Sequence, residues 1–412
     1  MTRTIKKQML FWSAVFLLLV GLVLHIKQME FMACALGLLG PLAYWLSRPM
    51  LRGLEVQRRA PGRLTMGDSS KVTLTVTNTT ARPRPAFWVE DTLPPGLAAE
   101  DPAHLVLDLG PGETRPITYG LRALRRGVYQ LGPARLLTTD ILGLHDFELG
   151  APELSEAVVY PRTVAIPDLW PQGPAERSTP RRTLRRPGGL DPRGSREYVP
   201  GDDLRQIHWK ASAHRGKLTV VEREQSQGLR ATAVLDLTAG THLGRGNETS
   251  LEYGVTLAAS LLLQALAAGG TVGLIAVGDR DYSVPADSAP GQQRRLLEAL
   301  ARCQEGEQQG LGEGLSARLM ALPRGSAVAV ITPQTGPEIM RLSNLLASRG
   351  LLGLWFLLVA PSWEKVAGSR RGAENHYRTL ALALGRRGQP AYALQAGDSL
   401  DTGLGRWLLA AS

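Results

Sequence analysis

The chain has 412 residues, a formal net charge of +10 and 44% apolar residues. That length exceeds one ordinary domain, so two or three are expected, and the balanced composition excludes collagen-like, low-complexity and wholly disordered classes. Its 2 cysteines, Cys34 and Cys303, exclude a disulfide framework or a CxxC metal site, while the positive balance leaves nucleic acid, an anionic membrane face or no specific partner open.

Residues 1–50 read as a transmembrane helical hairpin. Met9–Ile26 and Phe31–Leu46 are apolar runs, separated by the polar break Lys27-Gln28-Met29-Glu30. Each is slightly short of the ~20 residues that cross a bilayer, and snorkelling Lys6, Lys7, Lys27 and Arg48 can extend them. Trp12, Tyr44 and Trp45 lie near the ends, where amphipathic rings favour the interface. A cleaved signal peptide, or a lipoprotein box at Cys34, is the rival reading; the second apolar run argues against both. Arg3, Lys6 and Lys7 precede the first span and Arg48, Arg52, Arg58 and Arg59 follow the second, so both ends are expected in the cytoplasm. The expected location is a cell (inner) membrane, multi-pass, with cytoplasmic soluble domains.

Residues 51–165 read as an antiparallel β-sandwich-like module. In Lys71–Asn78 the residues Val72, Leu74 and Val76 alternate with polar ones, which buries one face of a strand. Ala86–Leu93, Arg115–Leu121 and Gly127–Asp140 read similarly, with Gly/Pro-rich turns between them.

Residues 166–228 form an Arg/Pro connector followed by a dense charged stretch. Pro171–Ser195 has no hydrophobic period and reads as a loop, with a basic cluster at Arg181, Arg182, Arg185 and Arg186. Its readings are a solvated linker, phosphate binding or contact with anionic lipid. No aromatic residue interleaves with these arginines, so nucleic acid is not expected as a partner.

Residues 229–412 alternate buried strands with amphipathic helices, as in a mostly parallel sheet covered on both faces. Strands are predicted in Leu229–Ala239, Thr271–Gly278, Ser326–Thr332, Leu351–Ala360 and Pro390–Gln395. Helices are predicted in Ser250–Gly270, Gly291–Gln304, Gly336–Gly350 and Glu374–Gly388. Ligands of such sheets bind at the carboxyl ends of strands, where Asp236 falls.

The stretch Arg196–Leu218 carries Arg196-Glu197-Tyr198, Gly201-Asp202-Asp203, Arg205, His208-Trp209-Lys210, Ser212 and Gly216-Lys217-Leu218. It resembles the signature of the bacterial family called domain of unknown function fifty-eight. The resemblance implies a membrane hairpin, a β-rich module and a doubly wound von Willebrand factor A-like domain. It also implies partnership with a MoxR-type AAA+ ATPase and its protein client in assembly or maturation. Domains of that kind often carry a metal-ion-dependent adhesion site. Here the first loop is Asp236-Leu237-Thr238-Ala239-Gly240 and a later one is Thr332-Pro333-Gln334, so the site is degenerate at Asp236 and Thr238 and no metal or other cofactor is expected. Asp236, Thr238 and Thr332 are instead expected to form an exposed, partner-binding rim.

Asp202, Asp203, His208, Ser212 and His214 supply the ingredients of a hydrolase. Against that, Ser212 lacks a G-x-S-x-G elbow, and no zinc helix or phosphate-binding loop is present. The reading adopted is a charge-paired structural hub at Arg196, Glu197, Tyr198, Gly201, Asp202, Asp203, Arg205, His208, Trp209 and Lys210, with no catalytic residue. The expected function is a membrane-anchored, non-enzymatic adaptor or scaffold. A hydrolase, or a nucleic-acid or lipid binder working through the basic connector, stands as the alternative.

Overall fold

The computed structural model describes residues 2–100, 105–170, 191–197, 212–213, 216–224, 228–278, 280–306, 311–364 and 370–400. The chain divides into two compact units, residues 1–162 and 163–412.

The first unit opens with α1 (Thr2–Leu24) and α2 (Lys27–Ser47). Both are long and apolar enough to cross a membrane, over Ile5–Leu24 and Lys27–Ser47. Phe11, Phe16, Val23, Phe31 and Trp45 lie exposed along them. Water disfavours that much uncovered apolar surface, whereas hydrocarbon accepts it, because a helix satisfies its backbone polar groups internally. The break is tighter than the polar spacing suggested. His25, at φ +55°, and Ile26 form it, and Lys27–Glu30 are the first turn of α2 rather than a loop.

The strands of this unit are β1 (Leu54–Arg59), β2 (Arg63–Thr65), β3 (Ser69–Asn78), β4 (Arg84–Asp91), β5 (Leu97–Ala99) and β6 (Leu105–Leu109). They continue as β7 (Thr114–Ala123), β8 (Gly127–Leu131), β9 (Ala134–Thr139), β10 (Asp146–Ala151) and β11 (Ser155–Tyr160). Two four-stranded sheets have the orders β1-β3-β7-β5 and β10-β9-β4-β6, antiparallel throughout. A smaller sheet, β2-β11-β8, pairs β11 parallel to β2 and antiparallel to β8. The expected alternation sets the core: Val72, Leu74, Val76 and Leu121 of one sheet meet Phe87, Val89 and Leu136 of the other.

One ion pair lies inside this core. The Arg58 and Asp91 side chains are 1% and 0% exposed, with Nη2 2.6 Å and Nε 3.1 Å from the carboxylate. Arg58 Nη1 also donates to the carbonyls of Leu131 (2.7 Å) and Glu153 (2.9 Å), and the Tyr119 hydroxyl donates to Asp91 Oδ2 at 2.6 Å. Burial, then the bond to Asp91, pushes the Tyr119 phenol well above its ordinary value. Arg58 was counted above among the positive charges that follow the second span. It is corrected here: its charge is consumed by Asp91 and is not presented to a membrane face. Gly132, at φ +98°, lets the backbone pass this guanidinium, since a Cβ there would stand 2.5 Å from Arg58 Nη1.

The second unit contains β12 (Asp191–Glu197), β13 (Thr219–Glu224), β14 (Arg230–Asp236), the short pair β15 (Gly244–Arg245) and β16 (Glu248–Thr249), β17 (Thr271–Val277) and β18 (Val284–Asp287). After these come β19 (Ala327–Thr332), β20 (Leu352–Leu358) and β21 (Ala391–Leu394). Its helices are α3 (Ser250–Ala267), α4 (Gln292–Arg302), α5 (Leu311–Met320), α6 (Pro337–Ser348) and α7 (Arg370–Gly385). The main sheet runs β18-β17-β14-β19-β20-β21, parallel from β17 to β21, with β18 antiparallel at one edge. Helices cover both faces. Val234, Val330 and Leu357 share a core with Leu319 of α5, Leu342 of α6 and Leu384 of α7. On the opposite face, a Cβ at Gly254 of α3 would meet Leu358, Ile331 and Leu235 at 3.2–3.4 Å. The missing side chain lets α3 lie close to the sheet. By length and composition α3 could also cross a membrane, but 61% of it is buried in this packing. The sheet takes up the surface that lipid would otherwise cover.

β12 and β13 form a separate antiparallel ribbon, with Glu197 paired to Thr219 and Arg196 to Val220. Asp191–Ser195 therefore belong to a strand, which corrects their assignment to the connector loop. Residues 171–190 lie outside the described residues.

Candidate functional site

Parallel register brings the carboxyl ends of β14 and β19 together. Leu235 pairs with Ile331, so Asp236 and Thr332 leave the sheet side by side. The Asp236 side chain then makes three bonds. Its Oδ2 accepts from Thr332 Oγ1 at 2.6 Å, and its Oδ1 accepts from Thr238 Oγ1 at 2.6 Å and from the Thr238 backbone N–H at 3.0 Å. The last two close a turn in which the carboxylate holds its own chain two residues on. Gln334 completes the ring, donating from its backbone N–H to Thr332 Oγ1 (3.0 Å) and from Nε2 to Thr238 Oγ1 (3.1 Å).

Two further side chains brace the cluster. His242 Nε2 lies 2.8 Å from the Asp236 carbonyl, and a carbonyl can only accept, so Nε2 carries a proton. His242 Nδ1 lies 3.1 Å from Ser250 Oγ at the start of α3, and that hydroxyl also accepts the Leu243 N–H. From α7, the Tyr377 hydroxyl donates to the Pro333 carbonyl; burial pushes this phenol up to about 12. Neither group lay in the sequence motif. Tyr377 had a signal, standing three and seven residues before Leu380 and Leu384 on the apolar side of its helix, whereas His242 lies in a loop with no period to reveal it.

Asp236 and Thr332 are 1% and 0% exposed, and Thr238 is half-buried. The expectation of an exposed rim is corrected at Asp236 and Thr332, whose side chains are buried against each other. The exposed positions of this loop are Ala239 and Gly240.

A hard cation needs several oxygens converging from separate loops. Asp236, Thr238 and Thr332 offer one carboxylate and two hydroxyls, and both hydroxyl protons are directed at that carboxylate. Gly240 adds no side-chain oxygen. This donor set does not fit the metal that the adhesion motif would imply.

Of the signature residues, Arg196 and Glu197 lie on β12. Tyr198, Gly201, Asp202, Asp203, Arg205, His208, Trp209 and Lys210 lie outside the described residues, as does His214. Ser212 is 8% exposed. β13 follows the signature, and its pairing with β12 brings both ends of the signature to one ribbon.

Residues 194–352 match the family described as Protein of unknown function DUF58. The DUF58 match opens on β12, takes in the signature and β13, and runs through the Asp236 cluster to the first residue of β20. The chain is also similar to the uncharacterized protein YeaD of Bacillus subtilis, 26% identical over 261 residues, or 61% of this chain. It spans 63% of the length of that relative. Among solved structures, native Escherichia coli alpha-2-macroglobulin matches 28% of this chain and 7% of its own, at 22% identity and a TM-score of 0.22. A CARDB domain from Pyrococcus furiosus matches 26% of this chain and 91% of its own, at 18% identity and a TM-score of 0.21.

Proposed function

We propose that the chain is a membrane-anchored, non-enzymatic scaffold whose α/β unit, a von Willebrand factor A-like domain, receives protein partners. The partner class implied by the DUF58 resemblance is a MoxR-type AAA+ ATPase acting with a protein client. The observation that supports a structural rather than catalytic role for the strand-end loops is the internal closure of the Asp236 cluster. Both carboxylate oxygens accept from Thr238 or Thr332, and both hydroxyls are used in those bonds. A general base or nucleophile must instead be within reach of a substrate. The hairpin supplies the anchor, and the basic residues Lys6, Lys7, Arg48, Arg52 and Arg59 flanking it favour cytoplasmic termini.

Full-length tagged protein in mild detergent should retain a AAA+ ATPase at low salt and release it as salt rises. Ala239→Arg places a bulky charge on the exposed loop without touching Asp236, and should abolish that retention. Failure of wild-type protein to recover any AAA+ partner would sink the adaptor reading. Unchanged recovery by a folded Ala239→Arg variant would move the contact elsewhere.

A further inference from the structure

The turn between β9 and β10 is built backwards for a turn in water. Its tip is Ile141-Leu142, 75% and 39% exposed, whereas its acid is turned inside. Asp140, 3% exposed, accepts from the Leu144 N–H at 2.6 Å and pairs with the His145 ring at 2.9 Å. Two backbone bonds close the loop, from Gly143 N–H to the Asp140 carbonyl (2.9 Å) and from Asp140 N–H to the His145 carbonyl (3.0 Å). Burial alone would raise the Asp140 carboxyl, but the bonds from His145 and Leu144 outweigh it and hold it below its usual value. The turn is therefore internally fastened and presents two large aliphatic side chains outward.

Its neighbours show what lies there. The Tyr44 ring of α2 packs edge-on against His145, with centroids 5.2 Å apart, and tilted against Phe147 of β10, at 5.5 Å. A Cβ on Gly143 would stand 4.0 Å from Lys6 Nζ of α1. Lys6 is next to the first residue of the apolar stretch Ile5–Leu24, and Tyr44 is in the last turn of Lys27–Ser47. Because the chain crosses and returns, both mark the same end of the hairpin. A tyrosine and a lysine at span ends belong at the headgroup level. The apolar tip therefore stands beside the boundary where the hairpin leaves the hydrocarbon.

We propose that Ile141 and Leu142 insert into the headgroup region of the bilayer crossed by α1 and α2, making the β9–β10 turn a third membrane contact. This rests on the reading of the hairpin as membrane-spanning. The occupant is lipid rather than a protein groove because the turn's own Gly143 and His145 stand beside Lys6 and Tyr44, the residues that mark the boundary end of the hairpin. The contact seats the β-module against the membrane and stops it swinging on the short link from Ser47 to Leu54.

The test uses the full chain in phosphatidylcholine/phosphatidylglycerol nanodiscs. Cys34→Ala removes the exposed thiol, and Cys303 is buried. Single environment-sensitive fluorophores are placed by Ile141→Cys, by Phe16→Cys in mid-α1, and by Lys71→Cys. Lys71 is on the exposed face of β3, seven residues or about 23 Å along the strand from Asn78, whose neighbour Thr79 bonds Gly53 at the hairpin end. Lipid carrying a nitroxide high on the acyl chain and aqueous iodide are the two quenchers. We expect the 141 label to sit about 5–10 Å into the headgroup boundary, quenched several-fold more by lipid than the 71 label and several-fold less by iodide. Full iodide access at 141 with no lipid quenching overturns the proposal. Iodide protection without lipid quenching also overturns it, and assigns the patch to a protein contact. If the label at 16 escapes lipid quenching, the spanning reading fails first and the third contact with it.

Discussion

Each unit of this protein buries an aspartate completely, and the two are treated in opposite ways. Asp91 is matched with a cation. Arg58 of β1 reaches it across the first core, Tyr119 of β7 adds a bond, and Nη1 donates to the carbonyls of Leu131, at the end of β8, and Glu153, just before β11. Asp236 receives bonds only from neutral donors, Thr238 in the loop that follows β14 and Thr332 at the last position of β19. The first arrangement ties distant strands to one another, and its failure leaves a naked charge in a dry core. The second organises loops at the end of a sheet. The lesson is that full burial of a carboxylate does not identify a functional site; the identity and origin of its partners decide what its removal does.

Breaking the Asp91 arrangement should have the larger effect. Arg58→Met leaves Asp91 buried without a counter-charge and should destabilise the first unit by about 3–5 kcal/mol. Thermal melting of the detergent-solubilised chain reads this as a large drop in midpoint. Arg58→Met combined with Asp91→Leu should recover most of the loss, because a packed apolar pair replaces the ion pair. No recovery in the double variant would mean that the carbonyl contacts of Arg58, and not the charge match, hold the strands.

Thr332→Val tests the second arrangement at nearly constant volume. It removes one bond to Asp236 and one acceptor for the Gln334 N–H, for about 1–3 kcal/mol. The same measurement should show a smaller loss than Arg58→Met. A loss equal to that of Arg58→Met would remove the distinction drawn between the two aspartates.

The smallest effect belongs to a half-exposed pair in the second unit. Asp281 meets Arg318 of α5 through two bonds, at 2.7 and 2.8 Å. Those bonds, and then the hydroxyl and N–H of Ser283, hold the Asp281 carboxyl well below the usual carboxylate range. A depressed folded value means that the stability is present above the unfolded value of about 3.9 and is lost as pH falls below it. Denaturation midpoints taken from neutral pH down to the acid limit should fall less steeply in Asp281→Asn. Parallel acid limbs for wild type and variant would show that the pair is screened by solvent.

Much of this architecture was legible in the sequence. Unbroken apolar runs gave α1 and α2, period two gave β3, β4 and β7, and alternating strand and helix patterns gave β14, α3, β17, α4, β19, α6, β20, α7 and β21. The misses have physical causes. α5 carries Gly312 and Gly314, which weaken a helical pattern, and β18 is a four-residue edge strand containing Pro285. The Arg58 pair was missed because its members lie far apart in the chain, although a signal was present. Arg58 stands in phase with Leu54 and Val56, Asp91 with Phe87 and Val89, and Tyr119 with Ile117 and Leu121, all inward positions. A charged residue in the inward phase of one strand calls for a counter-charge in the inward phase of another. Asp236 was found because strand ends in a parallel sheet are a known meeting place, and Thr332 through the resemblance to the adhesion-site motif. Their burial was not visible, since the bonds from Gln334, His242 and Tyr377 that brace these loops come from residues outside the motif.

The β12–β13 ribbon brings the two ends of residues 198–218 side by side. Glu197 and Thr219 are partners on one rung, so the chain enters and leaves residues 198–218 at the same place. A deletion of 198–218 can be rejoined there by a two-residue Asn-Gly turn, the connection an antiparallel rung accepts. Shortening the chain between that rung's two ends therefore need not change the register of either strand.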